Sequence, residues 1–225
     1  MKKIHAKALA GLLSLILVMS AALFLPAGTL NYWQAWTCLA IFFISSAAIT
    51  IYLIMADPAL LERRMKAGAA AETRTNQKAI QAFAQLFFIA LLVIPALDYR
   101  FHGSNVPASI SLAADALILV GFAIVFLVFR ENSYTSGTIE VAADQKVIST
   151  GPYALVRHPM YSGALLLLIG MPIALGSWWG LLVVIPMAGA IPWRLLDEEL
   201  FLDANLPGYS EYRQKVRYRL LPLVW

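Results

Sequence analysis

The chain has 225 residues, of which 60% are hydrophobic and only 13% are charged. Soluble domains carry about 25% charged residues, so this composition excludes an ordinary soluble domain and favours a single integral membrane domain. The formal net charge is +4, which we interpret as loops facing an anionic cytoplasmic leaflet and not as a nucleic-acid surface. Cys38 is the single cysteine, and this excludes a disulfide framework and a cysteine-rich metal site.

Four apolar runs are long enough to cross a hydrocarbon core, which takes roughly 20 residues. The first follows Lys2, Lys3 and Lys7 and resembles a signal peptide. No clear small-residue cleavage site follows it, so we expect a retained transmembrane helix. The four predicted helices cover about residues 8–26, 33–55, 79–97 and 109–129.

A fifth apolar region, from about residue 160 to 192, is too long for one ordinary span. It forms either one tilted, kinked helix or two short helices joined near Gly176 to Gly180. The residues that interrupt it are glycine, proline and serine: Gly170, Pro172, Gly176, Ser177, Gly180, Pro186 and Gly189.

The distribution of lysine and arginine predicts the topology, because cytoplasmic loops are enriched in these residues. The N-terminus and the segments 56–78 and 130–158 are basic and are placed in the cytoplasm. The tail beyond the fifth region is basic too, and only a helical hairpin returns it to the cytoplasmic side. We therefore favour the hairpin. The cations of the tail are Arg194, Arg213, Lys215, Arg217 and Arg219.

A hairpin would bring two charged clusters together at one membrane interface. Arg157 and His158 lie at its start, before Pro159, which suits the first position of a helix. Arg194 and Glu198 lie at its end, four residues apart and so on one helix face. The positive N-terminal end of a helix attracts anions. The arrangement predicts a pocket for a zwitterionic ligand beside a lipophilic substrate, although each charge taken singly is also typical of a side chain that reaches lipid head groups.

Several other kinds of site are not indicated. The chain has no Walker-type phosphate loop, no dinucleotide-binding G-x-G-x-x-G and no G-x-S-x-G nucleophile elbow. The three histidines, His5, His102 and His158, are too dispersed for one segment to form a metal cluster. We therefore predict no metal site.

The C-terminal region resembles a known enzyme family. The segments "GPYALVRHPMYSG", "RLLDEELFL" and "GYSEYRQKVRYRLLP" are similar to the isoprenylcysteine carboxyl methyltransferase family and the related phospholipid N-methyltransferases. The resemblance covers about the last 80 residues, and "ADPALLERRM" after the second span is similar to bacterial members. It implies an all-α integral membrane methyltransferase that uses S-adenosylmethionine, with N-terminal transmembrane helices in residues 1–130 and a cofactor-binding and catalytic region in residues 131–225.

The resemblance also implies roles for particular residues. The cofactor would be enclosed by the hairpin and its flanking cytoplasmic segments. Arg194 and Glu198 would be catalytic, with Arg194 near the methyl acceptor. His158 and Tyr161 would hold the methionine moiety, and Glu198 and Glu199 match an acidic pair implicated in cofactor binding. The remaining residues expected around the cofactor are Gln145, Gly151, Tyr153, Arg157, Pro159 and Tyr212.

Alternatives remain open at this point. The acceptor is lipophilic or partitions into the membrane, and it could be a carboxylate, an amine or a thiol. A related set of NADPH-dependent membrane reductases also carries R-H-P-x-Y-x-G, commonly followed by glutamate; Ala164 at that position favours methyl transfer. A non-catalytic membrane protein whose hairpin cluster binds lipid head groups is the third possibility.

Overall fold

The computed structural model describes residues 2–68, 70–72 and 74–225, and these residues form helices and loops with no strand among them. The predicted all-α architecture is therefore confirmed. In chain order the helices are α1 (Lys2–Ala27), α2 (Trp33–Ala56), α3 (Pro58–Met65), α4 (Thr75–Phe101), α5 (Ala108–Glu131), α6 (Pro159–Ala174), α7 (Leu181–Asn205) and α8 (Tyr209–Lys215). A short 3-10 helix, Gly151–Ala154, precedes α6.

Four of the described helices are long and apolar enough to cross a membrane, as the sequence predicts. They are Ile4–Ala27, Trp33–Ala56, Thr75–Phe101 and Ala108–Glu131. All four extend beyond the predicted bounds, most clearly α1, which begins before residue 8, and α4, which runs from Thr75 to Phe101 instead of from residue 79 to 97. Hydropathy marks only the lipid-facing part of a helix, whereas backbone hydrogen bonding continues into the polar ends.

The short helix α3 was not predicted. It begins where the Asp57 side chain accepts a hydrogen bond of 2.9 Å from the backbone N–H of Leu60, and Pro58 occupies the first turn. Both features are typical of a helix start. The helix lies at the end of α2 and brings Arg64 towards the functional region described below.

The fifth apolar region is a helical hairpin, so the alternative of one continuous kinked helix is wrong. The chain reverses between α6 and α7 at Gly176, whose φ of +77° favours glycine. Two side chains from other helices hold this turn. The Ser177 hydroxyl donates to the buried Asp98 carboxylate of α4, and the Tyr32 hydroxyl donates to the Leu175 carbonyl.

The hairpin turn defines one end of the molecule, called the turn end. The α4–α5 loop lies there, because the Ser104 hydroxyl accepts from the Trp178 N–H at 3.0 Å. The start of α5 is also there, because the Ser111 hydroxyl donates to the Ile173 carbonyl. Among the described lysines and arginines, Arg100 is the one whose segment lies at the turn end, where it donates to the Pro26 carbonyl at the end of α1. The segments with the other cations lie towards the opposite end, called the basic end.

Helix α6 packs closely against α5 through glycines. A Cβ built on Gly163 would lie 2.9 Å from the Gly121 carbonyl oxygen and 3.2 Å from a Val125 methyl group. Small residues permit this close approach of helix backbones in membranes. The contact places the first turn of α6 level with Val125, six residues before α5 ends at Glu131.

The start of α6 consequently lies near the boundary of the hydrocarbon core. Its 16 residues rise roughly 24 Å at 1.5 Å per residue, whereas a hydrocarbon core is roughly 30 Å thick. A hairpin whose turn is at one boundary therefore begins roughly 6 Å short of the opposite boundary, and polar residues at its start lie next to lipid.

The glycine contact between α5 and α6 gives a stability prediction. Gly163→Ala places its methyl group against a backbone carbonyl that cannot move aside, and overpacking of this kind costs about 1–3 kcal/mol. Gly11→Ala in α1 is the matched control, because nothing lies within 4 Å of its Cβ position. We expect thermal unfolding in detergent micelles to show destabilisation for Gly163→Ala and none for Gly11→Ala. Equal unfolding temperatures would contradict the described packing.

Candidate functional site

The segment before α6 pairs with the C-terminal part of the chain. The backbone N–H of Arg157 donates to the Tyr218 carbonyl and that of His158 to the Arg219 carbonyl, both at 2.9 Å. His158 is the N-cap of α6 and Pro159 occupies its first turn, as the sequence predicts. The Ser162 hydroxyl donates to the Leu220 carbonyl at 2.6 Å. We call Val216–Leu220 the strap, because it lies across the start of the hairpin.

A buried carboxylate connects the strap to both helices of the hairpin. Glu199 of α7 is only 3% exposed. One carboxylate oxygen accepts from Arg157 Nε at 2.7 Å and lies 3.2 Å from His158 Nε2; the other accepts from Arg219 Nε at 3.0 Å. Arg157 Nη1 also donates to the carbonyls of Val216 and Arg217, each at 2.9 Å.

These donors determine the charge state of Glu199. Burial alone would raise the pKa of the carboxyl group, but the hydrogen bonds from His158, Arg157 and Arg219 outweigh burial and hold the pKa well below its ordinary range. The carboxylate is ionised, and Arg157 is its buried counter-ion. The guanidinium of Arg157 is hydrogen-bonded to Glu199 and to the strap. These bonds fix the backbone at Arg157 and so position the next residue, His158.

A second polar cluster joins Tyr161 of α6 to Arg194 and Glu198 of α7. The Tyr161 hydroxyl of α6 donates to Glu198 Oε2 at 2.7 Å and accepts from Arg194 Nε at 3.0 Å. Arg194 Nη1 donates to Gln77 Oε1 at 2.7 Å, and Nη2 donates to the Gly137 carbonyl at 3.2 Å. Arg194 and Glu198 share one face of α7, as their four-residue spacing predicts, and both reach Tyr161.

Gln77 at the start of α4 links this cluster to the outer surface of α7. The Gln77 side chain is fully buried, and its Nε2 donates to the Asp197 carboxylate, which also accepts from Arg74 at 2.9 Å. Sequence reasoning did not identify Gln77, because a glutamine in a polar loop carries no distinguishing signal. Its position becomes apparent only when α4 begins at Thr75.

Both clusters border a cavity of about 310 Å³, which is at the lower end of the volumes of small-molecule sites. Nine of the predicted site residues line it: Gln145, Tyr153, Arg157, His158, Pro159, Tyr161, Arg194, Glu198 and Tyr212.

Two predicted site residues, Gly151 and Glu199, do not line the cavity. Gly151 has a φ of +56°, and a Cβ there would lie 2.9 Å from a carboxylate oxygen of Glu131, so its position requires glycine for backbone reasons. Glu199 lies behind Arg157 and His158. The structure therefore places Gly151 at the start of the 3-10 helix next to the cavity, and it places Glu199 behind the residues that line the cavity.

Residues from outside the predicted set also line the cavity, among them Arg64 of α3, Gln81 of α4 and Tyr134 in the α5–α6 connection. Arg64 Nη1 donates to the Ser136 carbonyl at 2.6 Å, and Gln81 donates to the Gly137 carbonyl at 3.1 Å. Burial lowers the pKa of Arg64, and the like charge of Arg194 lowers it further. The segment "ADPALLERRM" was the sequence signal that could have identified Arg64.

Tyrosine rings form much of the cavity wall. The Tyr212 hydroxyl donates to the Tyr153 carbonyl at 2.8 Å, and the Tyr153 hydroxyl accepts from Asn132 at 3.0 Å. The hydroxyl of Tyr209 is buried with no hydrogen-bond partner among the described residues, and burial raises its pKa. Tyr153, before α6, and Tyr212, after α7, are in contact. The two ends of the hairpin therefore lie on the same side of the membrane, as predicted.

The lowered pKa of Glu199 predicts acid-dependent unfolding. Because the folded carboxylate binds a proton less readily than the unfolded one, its stabilisation is complete above the ordinary glutamate pKa of about 4.3 and decreases as pH falls below that value. Glu199→Gln removes this titration and leaves Arg157 without its buried counter-ion, at a cost of about 3–5 kcal/mol at neutral pH.

The measurement is thermal unfolding between about pH 7 and pH 3. Relative to the parent protein, Glu199→Gln should be less stable at neutral pH and lose less stability on acidification. Glu211→Gln, at an exposed carboxylate on α8, is the control and should follow the parent curve. A Glu199→Gln curve parallel to the parent would show that Glu199 does not titrate as described.

Comparison with known proteins finds a family similar to the region that contains Arg157, His158, Tyr161, Arg194 and Glu198. No curated protein matches the chain. Residues 110–206, somewhat less than half of the chain, match the phospholipid methyltransferase family, which also covers the isoprenylcysteine carboxyl methyltransferases. The match extends from α5 to the end of α7 and ends before α8 and the strap. The predicted resemblance is therefore confirmed, as a similarity of residues 110–206 to the phospholipid methyltransferase family.

Proposed function

We propose that the protein is an integral membrane methyltransferase that uses S-adenosylmethionine to methylate a lipophilic or membrane-partitioning acceptor. The observation that carries the proposal is the convergence of His158, Tyr161, Arg194 and Glu198 on one cavity at the start of the hairpin. This cavity is built largely from the part of the chain that matches the family. A carboxylate acceptor is one possibility within it.

The residues present fit the methionine end of S-adenosylmethionine, which carries an ammonium and a carboxylate. Glu199 is ionised and lies 3.2 Å from His158 Nε2, so we infer that Nε2 carries the proton and donates to it. This leaves Nδ1 as the ring nitrogen available to a ligand. The buried Tyr209 hydroxyl in the cavity wall has no partner in the described chain, and a polar ligand would satisfy it.

The cavity also suits a sulfonium ion. Tyr134, Tyr153, Tyr161, Tyr209 and Tyr212 all line it, and aromatic faces attract cations. Glu198 supplies a carboxylate on the same wall. S-adenosylmethionine would supply an activated methyl group, so the main task of the protein is to hold the reacting groups in line, which contributes roughly 7–11 kcal/mol in favourable cases.

Access from lipid is consistent with a lipophilic acceptor. Trp193 and Leu196, on either side of Arg194 in sequence, are 57% and 42% exposed on a helix whose other face borders the cavity. Arg194 is held by Tyr161, Gln77 and Gly137 and presents a fixed positive charge there. A carboxylate acceptor is already ionised at neutral pH and needs no base; an amine or thiol would have to lose a proton, a task for which Glu198 is the nearest candidate.

We also propose that the cavity faces the cytoplasm. In the part of the chain that the structure describes, the segments with lysines and arginines other than Arg100 lie towards the basic end, and basic segments remain in the cytoplasm. A cysteine introduced at the exposed Gln214, in a Cys38→Ala background, should resist a membrane-impermeant thiol reagent in intact cells and react after permeabilisation. A cysteine at Asn105, in the loop at the turn end, should react in intact cells. The reverse pattern would place the cavity on the other side.

The function is tested by incubating the purified protein with methyl-labelled S-adenosylmethionine and a lipid and metabolite extract. We expect label to enter a lipophilic species, and the bond formed (ester, amine or thioether) identifies the acceptor class. Binding of NADPH without binding of S-adenosylhomocysteine would instead favour the reductase.

Variants at the two clusters connect this activity to the cavity. His158→Ala and Glu198→Ala should weaken S-adenosylhomocysteine binding at least tenfold, the equivalent of about 1.4 kcal/mol, since each removes a polar group from the cavity wall. Isothermal titration measures the affinity, unfolding temperatures confirm that the variants are folded, and Glu211→Ala on the exposed face of α8 is the control. Parental affinity in both cluster variants would mean that the binding site lies elsewhere.

A further inference from the structure

The chain beyond the strap forms a compact turn, residues 221–225, which we call the tail turn. The main-chain oxygen of Trp225 accepts from the backbone N–H groups of Arg219, Leu220 and Leu221 at 2.8, 2.9 and 3.2 Å. The Trp225 N–H donates back to the Leu221 carbonyl at 3.1 Å. These bonds give the tail turn a defined conformation on the end of the strap.

The tail turn exposes apolar side chains although it belongs to none of the membrane spans. Leu221, Leu223 and Val224 are 49%, 84% and 76% exposed. Exposed apolar side chains on α1, α2, α4 and α5 are expected in helices long and apolar enough to cross a membrane, but an exposed apolar group outside the spans requires another explanation.

The depth of the tail turn supplies that explanation. The Leu220 carbonyl accepts from Ser162 in the first turn of α6, and the next residue, Gly163, packs against Gly121 and Val125 of the membrane-spanning helix α5. The tail turn therefore begins near the boundary of the hydrocarbon core, where apolar side chains are within reach of acyl chains.

The charges around the tail turn suit the same location. Lys215 and Arg217 are exposed and precede it directly, and Arg219 lies over the Trp225 ring at 5.2 Å. A tryptophan beside cations and exposed aliphatic residues is typical of segments that lie in the membrane interface, where the cations contact anionic head groups.

We propose that the tail turn is an interfacial membrane anchor, with Leu223 and Val224 inserted at the boundary between head groups and acyl chains and with Lys215 and Arg217 on anionic head groups. The anchor holds the strap in place. Arg219 of the strap contacts both Trp225 and Glu199. Attachment of the tail turn to lipid therefore helps to hold Arg219 against Glu199. The anchor rests on depth, exposure and charge, and so stands independently of the methyl-transfer proposal.

The test places an environment-sensitive fluorophore on single cysteines in the Cys38→Ala background. The positions are Leu223→Cys in the tail turn and Gln214→Cys on the exposed face of α8. Each labelled protein is reconstituted in phosphatidylcholine vesicles containing phosphatidylglycerol. Quenching is measured with lipids carrying a shallow acyl-chain nitroxide and, separately, with aqueous iodide.

We expect the label at position 223 to show blue-shifted emission, at least twofold stronger nitroxide quenching and weaker iodide quenching than the label at position 214. Equal iodide quenching at the two positions would overturn the proposal, because it would place the tail turn in water. Protection from both quenchers would also overturn it, because protein rather than lipid would then cover the surface. Thermal unfolding of both labelled proteins confirms that they are folded, and neither result depends on methyl transfer.

Discussion

The buried carboxylate of Glu199 is the interaction on which the rest of this structure depends. It lies on α7, and its three donors come from the segment before α6 and from the strap, so one ionised group joins three parts of the chain. A buried charge without such partners would be strongly destabilising. Glu199 and its donors depend on each other. The buried carboxylate requires Arg157 and His158 as partners, and it holds both of them beside the cavity.

The short length of α6 explains why such a polar structure can lie against lipid. The helix covers roughly 24 Å, while its turn is held at the far side by Asp98 and Tyr32. The start of α6 is consequently drawn towards the hydrocarbon boundary, where charged groups must be paired and backbone groups must be bonded internally. The strap meets this requirement by accepting the N–H groups of Arg157 and His158.

Helix geometry explains why Glu198 faces the cavity and Glu199 faces the strap. Adjacent residues on a helix point in directions about 100° apart, so only one member of the acidic pair can face the cavity. Glu198 does so and contacts Tyr161, whereas Glu199 faces the strap. This separates a group available to a ligand from a group that supports its surroundings, a distinction that the resemblance to the methyltransferase family does not make.

The sequence by itself determined the membrane class, the four spans and the clustering of polar groups at the two ends of the hairpin, because apolar length, lysine and arginine placement and a proline after His158 are local properties of the chain. Only the tertiary structure decided that α3 brings Arg64 to the cavity, that Gln77 supports Arg194, and that Glu199 and Gly151 lie behind the wall. These outcomes depend on contacts between residues distant in sequence, such as Gln77 with Arg194 and Arg157 with the strap. Periodicity and composition carry no information about such contacts, since the partner of a polar side chain is set by how the helices pack and not by its neighbours along the chain.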